Sequence, residues 1–395
     1  MLPFLKGIRI LDLTAVILGP YATQTLGDFG ADVIKVEPPG GESMRPVPPI
    51  KDGVSALVAN NNRNKRSLCL DLKTPEAKEV LRRLIPTCDV LVHNMRQRSM
   101  DGMGFGFEDV KALNDKIIYC AAIGFGSKGP YAGRPAYDDI IQSASGLAAL
   151  FEMRDGKPTI TPNIIADKIT GLTVVYAVLG ALVNRERSGG AAMFLEVPMF
   201  ETMVSFFMNE HLGAATFEAG GDMGYNRVLA PDRRPYQTAD GWIAVLAYSK
   251  QNWSRALDII GRSDVKEGDW FDDATERAKR MPELYSILAS SLTGKTSAEW
   301  LEAFEAADIP CSKVNTTKDL LADPHLTAVG LFTPSFAGEN APIRTLNLPV
   351  TYHGVDKSAD RPAPRLGQDN AEILRELGYG DAEIERLSPT AQKSP

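Results

Sequence analysis

Asp167 is the residue of this sequence whose type and position could support covalent or acid–base chemistry. It lies in the segment Asn163-Ile-Ile-Ala-Asp-Lys-Ile-Thr-Gly171, directly before a long apolar stretch. A carboxylate at a helix start can accept hydrogen bonds from free backbone N–H groups, and the helix dipole favours its ionised form. Asp167 therefore fits two roles, a structural helix cap or an ionised nucleophile, and most aspartates at helix starts are caps.

The helix that would carry Asp167 is indicated by apolar periodicity. From Ile169 to Val183, apolar residues recur at intervals of three and four, which is typical of a buried helix. We therefore expect Asp167 to occupy its N-cap. At fifteen residues, this apolar run is too short to span a bilayer.

Basic and amide side chains follow several predicted strands. The segment Asn94-Met-Arg-Gln-Arg98 leaves one strand end with an amide and two guanidinium groups, which can hold a phosphate bidentately. Lys73 and the loop Gly124-Phe-Gly-Ser-Lys-Gly-Pro130 follow two others, whereas Ala15-Val16-Ile17, after the first strand, carries no charge. A pocket for a phosphate-bearing ligand at this edge is favoured over scattered surface charge.

The elements that would position these residues alternate between strand and helix. This alternation predicts an α/β fold with a Rossmann-like open parallel sheet, in which ligands bind beyond the carboxyl ends of the strands. The predicted strands are residues 8–13, 32–37, 67–72, 89–93 and 117–123, and the clearest helices between them are residues 20–29 and 75–85.

The pattern changes near residue 225. Residues 233–247 are typical of a strand pair that turns at Asp240-Gly241, and helices rich in charge follow to about residue 307. We therefore expect a large Rossmann-like domain over residues 1–224, completed by residues 318–395, and a smaller α+β domain over residues 225–317. A final helix is predicted at residues 370–377.

Composition limits the class of partner. The 395 residues carry a net charge of −7, which argues against nucleic acid as the main partner. The N-terminal residues lack the pattern of a signal peptide, so we expect a soluble cytoplasmic protein. The cysteines and histidines show no metal-ligand spacing, and we expect no metal site.

The segment Gly124-Phe-Gly-Ser-Lys-Gly129 matches the GxGxxG pattern after a strand. Pro130 and Gly133 follow where a helix should begin, and the first strand–helix turn lacks the glycines of a dinucleotide site. A glycine-rich active-site loop or a plain surface turn fits this segment better than a dinucleotide site.

Several segments together resemble the family III CoA-transferases, which include formyl-CoA:oxalate and carnitine CoA-transferases. The resemblance covers nearly the whole chain. It is carried by Gly7-Ile-Arg-Ile-Leu-Asp-Leu, Leu26-Gly-Asp-Phe-Gly-Ala-Asp-Val-Ile-Lys-Val-Glu-Pro38, Asn64-Lys-Arg-Ser-Leu-Cys-Leu-Asp-Leu-Lys73, Gly124-Phe-Gly-Ser-Lys-Gly-Pro130, Tyr137-Asp138 and Ile309-Pro-Cys-Ser-Lys-Val-Asn315.

The resemblance implies a function for Asp167. In the family, the matching carboxylate attacks an acyl-CoA thioester to form a mixed anhydride, and the CoA thiolate then forms an aspartyl-CoA thioester, which is covalent catalysis. Water must be excluded because an anhydride hydrolyses readily. The resemblance also implies CoA and acyl-CoA as substrates, no tightly bound cofactor, and a homodimer of interlocked rings.

Family contacts carry over to individual positions. Tyr137 and Asp138 match positions close to the reacting centre. The matches to CoA-contacting positions are Val16, Leu72, Lys73, Asn94, Arg96 and Met103.

Three departures from the family are informative. A phosphate-binding arginine of the family falls at Gly102, and Arg98 is the candidate substitute. Ile17 stands where the oxalate enzymes carry glutamine, and residues 229–235 lack their tetraglycine loop. Oxalate is therefore a poor guess for the acceptor, and succinyl-CoA is the family default for the donor.

Two alternatives to a transferase remain open. An acyl-CoA racemase of the same superfamily would use an acid–base pair, but racemases carry histidine at the position of Tyr137 and a glycine run where Lys168-Ile-Thr-Gly171 stands here. A non-catalytic acyl-CoA-binding protein would use Asp167 only as a cap.

Overall fold

The computed structural model describes residues 1–336 and 342–388. The strands in this part of the chain are β1 (Arg9–Leu13), β2 (Asp32–Glu37), β3 (Ile50–Lys51), β4 (Val54–Ser55), β5 (Lys65–Cys69), β6 (Val90–His93), β7 (Ile118–Ile123), β8 (Met193–Pro198), β9 (Tyr236–Gln237), β10 (Trp242–Val245), β11 (Cys311–Lys313), β12 (Phe332–Phe336) and β13 (Pro342–Leu346).

The helices complete the alternation with the strands. They are α1 (Leu18–Asp28), α2 (Ala56–Asn61), α3 (Pro75–Leu84), α4 (Gln97–Met103), α5 (Phe107–Leu113), α6 (Asp138–Ser145), α7 (Leu147–Asp155), α8 (Ile165–Ser188), α9 (Met199–His211), α10 (Lys250–Ile259), α11 (Ala274–Lys279), α12 (Met281–Ser291), α13 (Ser297–Ala306), α14 (Thr317–Leu321), α15 (Pro324–Ala328), α16 (Asn370–Glu376) and α17 (Asp381–Leu387).

The main sheet is parallel and has the strand order β5-β2-β1-β6-β7-β8. This confirms the predicted α/β fold class and the five predicted strands, to which the structure adds β8. The chain moves outward from β1 through β2 to β5, then returns to β6 on the other side of β1. The order therefore reverses between β1 and β6, where open α/β sheets place their ligands.

Helices cover both faces of this sheet. One face packs against α1, α8 and α9 through apolar residues such as Leu26, Val174 and Met203. The other face packs against α3, α4, α5, α16 and α17, with Leu81 and Ile373 fully buried. The strands other than β8 are buried on both faces, and the central strands β1, β6 and β7 accordingly have largely apolar sequences.

Helix α8 is longer than its apolar periodicity predicts. It runs from Ile165 to Ser188, 24 residues, because polar residues extend the apolar segment at both ends. By length and composition it could cross a membrane, but half of its most apolar eighteen residues are buried inside the fold. It packs on α1, β7 and β8, as a core helix of an α/β domain does.

The outer edge of β5 is occupied by a segment from near the chain end. Ser67 N–H donates to a carboxylate oxygen of Asp369 across 2.8 Å, and Asp369 N–H donates back to Ser67 O across 3.1 Å. Cys69 N–H donates to Oδ1 of Asn370 across 2.8 Å. Residues about three hundred positions apart thus complete this end of the sheet.

The chain divides into two compact units. The first comprises residues 1–147, 160–206 and 328–395 and contains the parallel sheet; the second comprises residues 148–159 and 207–327. The assignment of CoA binding to residues 1–224 with 318–395, and of a separate domain to residues 225–317, stays a prediction. Within it, residues 337–341 and 389–395 lie outside the described part of the chain.

The second unit has its own core. Its antiparallel sheet has the order β11-β10-β9, and the turn predicted at Asp240-Gly241 joins β9 to β10. Thr238 N–H donates to Gly241 O across 2.9 Å in this turn. The helices between β10 and β11 bury the large side chains of Trp253, Tyr285 and Phe304.

Candidate active site

The chain leaves β1 through a tightly held segment, residues 14–18, which we call the elbow. Asp12 Oδ1 accepts hydrogen bonds from Thr14 N–H at 2.9 Å and from Thr14 Oγ1 at 2.5 Å. The Nζ of Lys35, from the neighbouring strand, donates to Thr14 O across 2.8 Å. A Cβ on Gly19 would lie 2.2 Å from Cβ of Thr14, so only glycine allows the chain to fold back this closely.

The elbow is tied across the point where the strand order reverses. Asn94, directly after β6, accepts from Ala15 N–H at 3.0 Å and donates to Ala15 O at 2.8 Å. Val16 then adopts a φ of 73°, in the left-handed region, and its N–H donates to Oε2 of Glu42 across 2.8 Å. A strained β-branched residue costs about 1–3 kcal/mol and persists only where its surroundings fix it.

Buried charges lie beneath the elbow. Lys35 pairs with Glu42 at 3.1 Å and Lys65 pairs with Asp12 at 3.0 Å, all four side chains being almost fully buried. Burial opposes ionisation of Asp12, but Lys65 and Lys35 outweigh it and hold the pKa of Asp12 well below its usual range. These ion pairs therefore fix the polar support of the elbow in a charged form.

Asp167 is not the N-cap residue of α8, so that prediction is wrong. The helix begins at Ile165, and Ile164 occupies the N-cap without a side-chain capping hydrogen bond. Asp167 is the third residue of the first turn. The free N–H of Asp167 is instead satisfied by Asp138, whose Oδ1 accepts it across 3.0 Å. The capping role expected of Asp167 is supplied by a carboxylate of α6.

Ionisation of the Asp167 carboxyl group is less favourable than that of an ordinary aspartate. The residue is 8% exposed, and burial first, then the negative charge of Asp138, raise its pKa to about 6, although the backbone N–H of Leu18 opposes the rise. This shift corresponds to about 3 kcal/mol against ionisation. The helix dipole contributes about 0.3–1 kcal/mol in the other direction, so burial wins.

Helix α8 approaches the elbow closely at Gly171. A Cβ on Gly171 would lie 2.8 Å from Leu18 O and 3.2 Å from Cδ1 of Tyr21, so glycine is needed for this approach. Gly171 is one turn after Asp167, which brings the carboxyl group of Asp167 beside the first turn of α1.

Gln142 is a positioning residue that is absent from the sequence-predicted site. Its side chain is fully buried. Its Nε2 donates to Oδ2 of Asp138 at 2.7 Å and to Asn163 O at 3.1 Å, and its Oε1 accepts from Thr161 N–H at 2.9 Å. It thereby joins Asp138 to the loop that leads into α8. The available signal was its i+4 spacing from Asp138 on one helix.

The other predicted site residues lie at the same carboxyl edge of the sheet or on the helices that follow it. Val16 and Asn94 are brought together through Ala15, whereas Tyr137, at the start of α6, is 70% exposed. Leu72 and Met103 are half-buried, and Lys73, Arg96 and Arg98 are exposed. Across residues 1–336 and 342–388, these three cationic groups form no ion pair.

Arg98 and Gly102 occupy the same face of α4, one turn apart. A Cβ on Gly102 would meet no atom within 4 Å. The space for the arginine that the family resemblance implies is therefore open, and Arg98 is the cation next to it.

The glycine-rich loop has its backbone donors occupied by carboxylates of the protein. Gly126 N–H donates to Oε1 of Glu201 across 3.0 Å, and Ser127 N–H donates to Oε1 of Glu196 across 2.8 Å. A phosphate at these donors would meet two negative charges, which supports the rejection of a dinucleotide site.

The geometry thus provides a buried carboxyl group of raised pKa, a second carboxylate that holds its backbone, and exposed cations along the same sheet edge. Such an arrangement suits nucleophilic attack by a carboxylate on a ligand with an anionic moiety.

Known proteins with similar sequences agree on one family. The sequence pattern described as CoA-transferase family III matches residues 5–370. The chain is 31% identical to the succinate–glutarate CoA-transferase of Agrobacterium fabrum, over 95% of this chain and 96% of that protein. It is 30% identical to the formyl-CoA:oxalate CoA-transferase of Rhodopseudomonas palustris, over 99% and 97%.

A solved structure shows the same fold. The crystal structure of a CaiB/BaiF family protein from Brucella suis superposes with a TM-score of 0.82 and 28% sequence identity, covering 95% of this chain and all of that one.

Proposed function

Because the chain belongs to CoA-transferase family III, we propose that it moves coenzyme A from an acyl-CoA thioester to a carboxylic acid with Asp167 as the nucleophile. The observation that carries this proposal is the buried Asp167 carboxyl group in the first turn of α8, beside the elbow and Asp138. That site needs no cofactor, because the chemistry is acyl exchange between carboxylates and a thiol.

The first half-reaction converts the donor to its free acid. A carboxylate oxygen of Asp167 attacks the thioester carbonyl, the C–S bond breaks, and CoA leaves as the thiolate. The thiolate then attacks the aspartyl carbonyl of the mixed anhydride, which releases the donor acid and leaves CoA on Asp167 as a thioester.

The second half-reaction reverses these steps with the acceptor. The acceptor carboxylate attacks the aspartyl thioester and expels the thiolate, which then attacks the acceptor's acyl carbon in the new anhydride. Acceptor-CoA leaves, and Asp167 is regenerated as a carboxylate. No water or redox partner enters the balance.

The environment of Asp167 suits these steps. Its 8% exposure limits access of water to an anhydride on its side chain. A carboxylate whose pKa is raised to about 6 is a stronger nucleophile once ionised than one of ordinary pKa, and it is still largely ionised at neutral pH. Asp138 acts at this centre by holding the Asp167 backbone, and Tyr137 is proposed as its neighbour on the substrate side.

The proposed CoA site runs along the carboxyl edge of the sheet. Val16 and Asn94 belong to the elbow and its clamp, and Leu72 and Met103 supply half-buried apolar contacts. Lys73, Arg96 and Arg98 are exposed cations that can pair with the nucleotide phosphates. We propose that Arg98 serves in place of an arginine at position 102.

The substrates are proposed to be succinyl-CoA as donor and a dicarboxylic acid as acceptor. Support comes from the similarity to a succinate–glutarate CoA-transferase. Ile17 is buried in the elbow and supplies no side-chain amide for a short, highly polar acid such as oxalate.

A homodimer is proposed because α8 carries an uncovered apolar stripe. Leu172, Tyr176 and Val183 lie on one face and are 47%, 65% and 50% exposed. Exposed apolar faces of this kind mark contact surfaces, and a second copy in an interlocked arrangement would cover it. A cytoplasmic location remains part of the same proposal.

The test is covalent trapping. Wild-type protein is incubated with succinyl-CoA, treated with hydroxylamine, and digested for mass spectrometry; we expect a hydroxamate on Asp167 and, when glutarate is added, glutaryl-CoA. Asp167→Asn should give neither product, while Asp139→Asn, an exposed neighbour of Asp138, should behave as wild type. Wild-type protein that binds succinyl-CoA without forming an adduct would instead be an acyl-CoA-binding protein.

The same type of incubation, carried out in deuterated solvent, distinguishes a transferase from a racemase. A racemase would exchange the α-proton of a branched acyl-CoA with deuterated solvent and leave CoA on its original acid. Glutaryl-CoA formation without such exchange supports the transferase.

A further inference from the structure

Val16 is held in a conformation that its side chain disfavours. In the described chain, the other non-glycine residues of positive φ are aspartate or asparagine, which tolerate this region, whereas Val16 is β-branched. Its φ of 73° therefore requires restraint by neighbouring groups.

The restraint on Val16 itself comes from Glu42. Oε2 of Glu42 accepts the Val16 N–H across 2.8 Å, while Oε1 pairs with Lys35 at 3.1 Å. Glu42 is in turn fixed through its own N–H, which donates to Oε1 of Glu37 at 3.1 Å, and Glu37 is paired with Arg45. The acceptor for Val16 is thus part of a rigid buried network.

The conformation of Val16 determines the direction of the following N–H groups. Helix α1 begins at Leu18, only two residues later, and a first-turn N–H has no partner within its own helix. Gly171, one turn after Asp167, approaches the elbow so closely that a Cβ on it would lie 2.8 Å from Leu18 O, and the Leu18 N–H lowers the pKa of the Asp167 carboxyl group. A rotation at Val16 would therefore move this donor away from Asp167.

We propose that Glu42 is a positioning residue for the nucleophile, acting through Val16 to aim the Leu18 N–H at the Asp167 carboxyl group. The catalytic meaning of this contact rests on the proposed function, but the contact itself does not. Besides the Leu18 N–H, the charged group that acts on Asp167 is Asp138 of α6, and the charged groups that act on the Glu42 carboxylate are Lys35 and Lys65. Glu37 accepts the backbone N–H of Glu42 and is itself paired with Arg45.

Glutamine cannot replace Glu42 without a conflict. The partners of its carboxylate are all donors: the Val16 N–H, the Lys35 ammonium and, at 3.5 Å, the side-chain amide of Asn62. In Glu42→Gln, the new NH₂ group must face one of them, so the clamp loosens. Val16→Gly removes the need for the clamp, because glycine adopts positive φ without steric cost.

The experiment compares Glu42→Gln in two backgrounds. The carboxyl carbon of Asp167 is followed by NMR from pH 4 to pH 8 in protein labelled with ¹³C-aspartate, with Asp167→Asn used to assign the signal. We expect Glu42→Gln to move the titration midpoint to higher pH by about half a unit or more, because a hydrogen-bond donor to the charged form is lost. The same substitution in the Val16→Gly background should move it by clearly less.

Turnover of succinyl-CoA with glutarate gives a second measurement. Glu42→Gln should lower kcat by about tenfold or more, as the loss of a preorganised donor does, with a smaller change in KM for succinyl-CoA. An unmoved midpoint in Glu42→Gln, or an equal shift in both backgrounds, overturns the proposal.

A second variant keeps the test valid if Glu42→Gln fails to fold, because it removes both charges of the buried pair. Lys35→Met with Glu42→Leu removes both ends of the ion pair, which leaves no unpaired buried charge. The titration midpoint of Asp167 should move to higher pH in this variant, as in Glu42→Gln. An unchanged midpoint in the folded variant would also overturn the proposal. The titration needs no substrate. The absence of a CoA adduct in the wild-type protein would therefore refute the proposed function and leave the proposed role of Glu42 standing.

Discussion

The backbone N–H of Asp167 donates to a carboxylate oxygen of Asp138 across 3.0 Å, so one acid supports the helix turn on which the other acid sits. The hydrogen bond fixes the Asp167 backbone, while the charge of Asp138 makes ionisation of the Asp167 side chain harder. The backbone position of Asp167 and, after burial, the second-largest part of the rise in its side-chain pKa therefore come from the same neighbour.

Asp167→Asn should abolish CoA transfer and stabilise the fold. The pKa of Asp167 is about 6 in the folded protein and near 3.8 when unfolded, so the unfolded state loses its proton first and stability falls as the pH rises from about 4 to 6. Asparagine avoids this cost. We expect a gain of about 1–3 kcal/mol in unfolding free energy at pH 8 and much less at pH 4, measured by urea denaturation. An equal effect at both pH values would contradict this account.

Asp138→Asn should move the acid limb of activity to lower pH. The limb of kcat/KM in the free enzyme is expected near pH 6, where Asp167 becomes ionised. Removal of the Asp138 charge removes the second-largest cause of the raised pKa, while burial, the largest, remains. The limb should therefore shift downward but stay above the ordinary aspartate range. Pre-steady-state rates over pH 4.5–8 provide the measurement, and an upward shift would count against the assignment.

Gln142→Leu should lower both stability and turnover. The change leaves the Thr161 N–H and Asp138 without their buried partner, at about 1–3 kcal/mol for each unsatisfied group. We expect kcat to fall by about 10–100-fold, with a smaller change in KM for the acyl-CoA, because the loop before α8 would shift and displace Asp167. Gln251→Leu, an exposed glutamine on α10, is the matched control and should change stability by less than about 0.5 kcal/mol.

Gly102→Arg should strengthen CoA binding. The position is exposed, helical and open, so an arginine fits beside Arg98 and can reach a nucleotide phosphate. An exposed ion pair contributes about 0.5–1 kcal/mol, which is about a two- to fivefold gain in affinity that shrinks at high salt. Gly102→Ala shares the gain in helix propensity but adds no charge, and calorimetry should find its CoA affinity unchanged. The same affinity in both variants would remove Gly102 from the phosphate site.

The strands of the main sheet were predictable because their signal is local. Buried parallel strands have nearly continuous apolar sequences, and residues 32–37 match β2 at both ends. The strand β8 was not predicted although its sequence, Met193-Phe-Leu-Glu-Val-Pro198, is largely apolar, because a short apolar run does not by itself distinguish a strand from other buried segments. Its place in the sheet depends on packing with β7, which periodicity does not report.

The residues of the proposed site could be named from the sequence as candidates, but several features of their local structure could not be predicted. A helix carrying Asp167 was expected, yet the position of Asp167 in that helix was misjudged because the cap comes from Asp138, 29 positions earlier. The left-handed conformation of Val16 follows from Glu42, 26 positions later, and valine itself argues against it. Such features depend on contacts between distant segments, which a single sequence encodes without a local pattern.

The pairing of residues 367–370 with β5 also protects the protein from self-association through that strand. An edge strand with free N–H and C=O groups can recruit a strand from another chain, and this is a common start of aggregation. Here Asp369 and Asn370 occupy the donors of Ser67 and Cys69. Cleavage of the chain shortly before residue 367, with loss of the following residues, would leave β5 as an unpaired edge strand on an otherwise intact sheet. Limited proteolysis there should therefore yield an insoluble aggregate and not a smaller soluble domain.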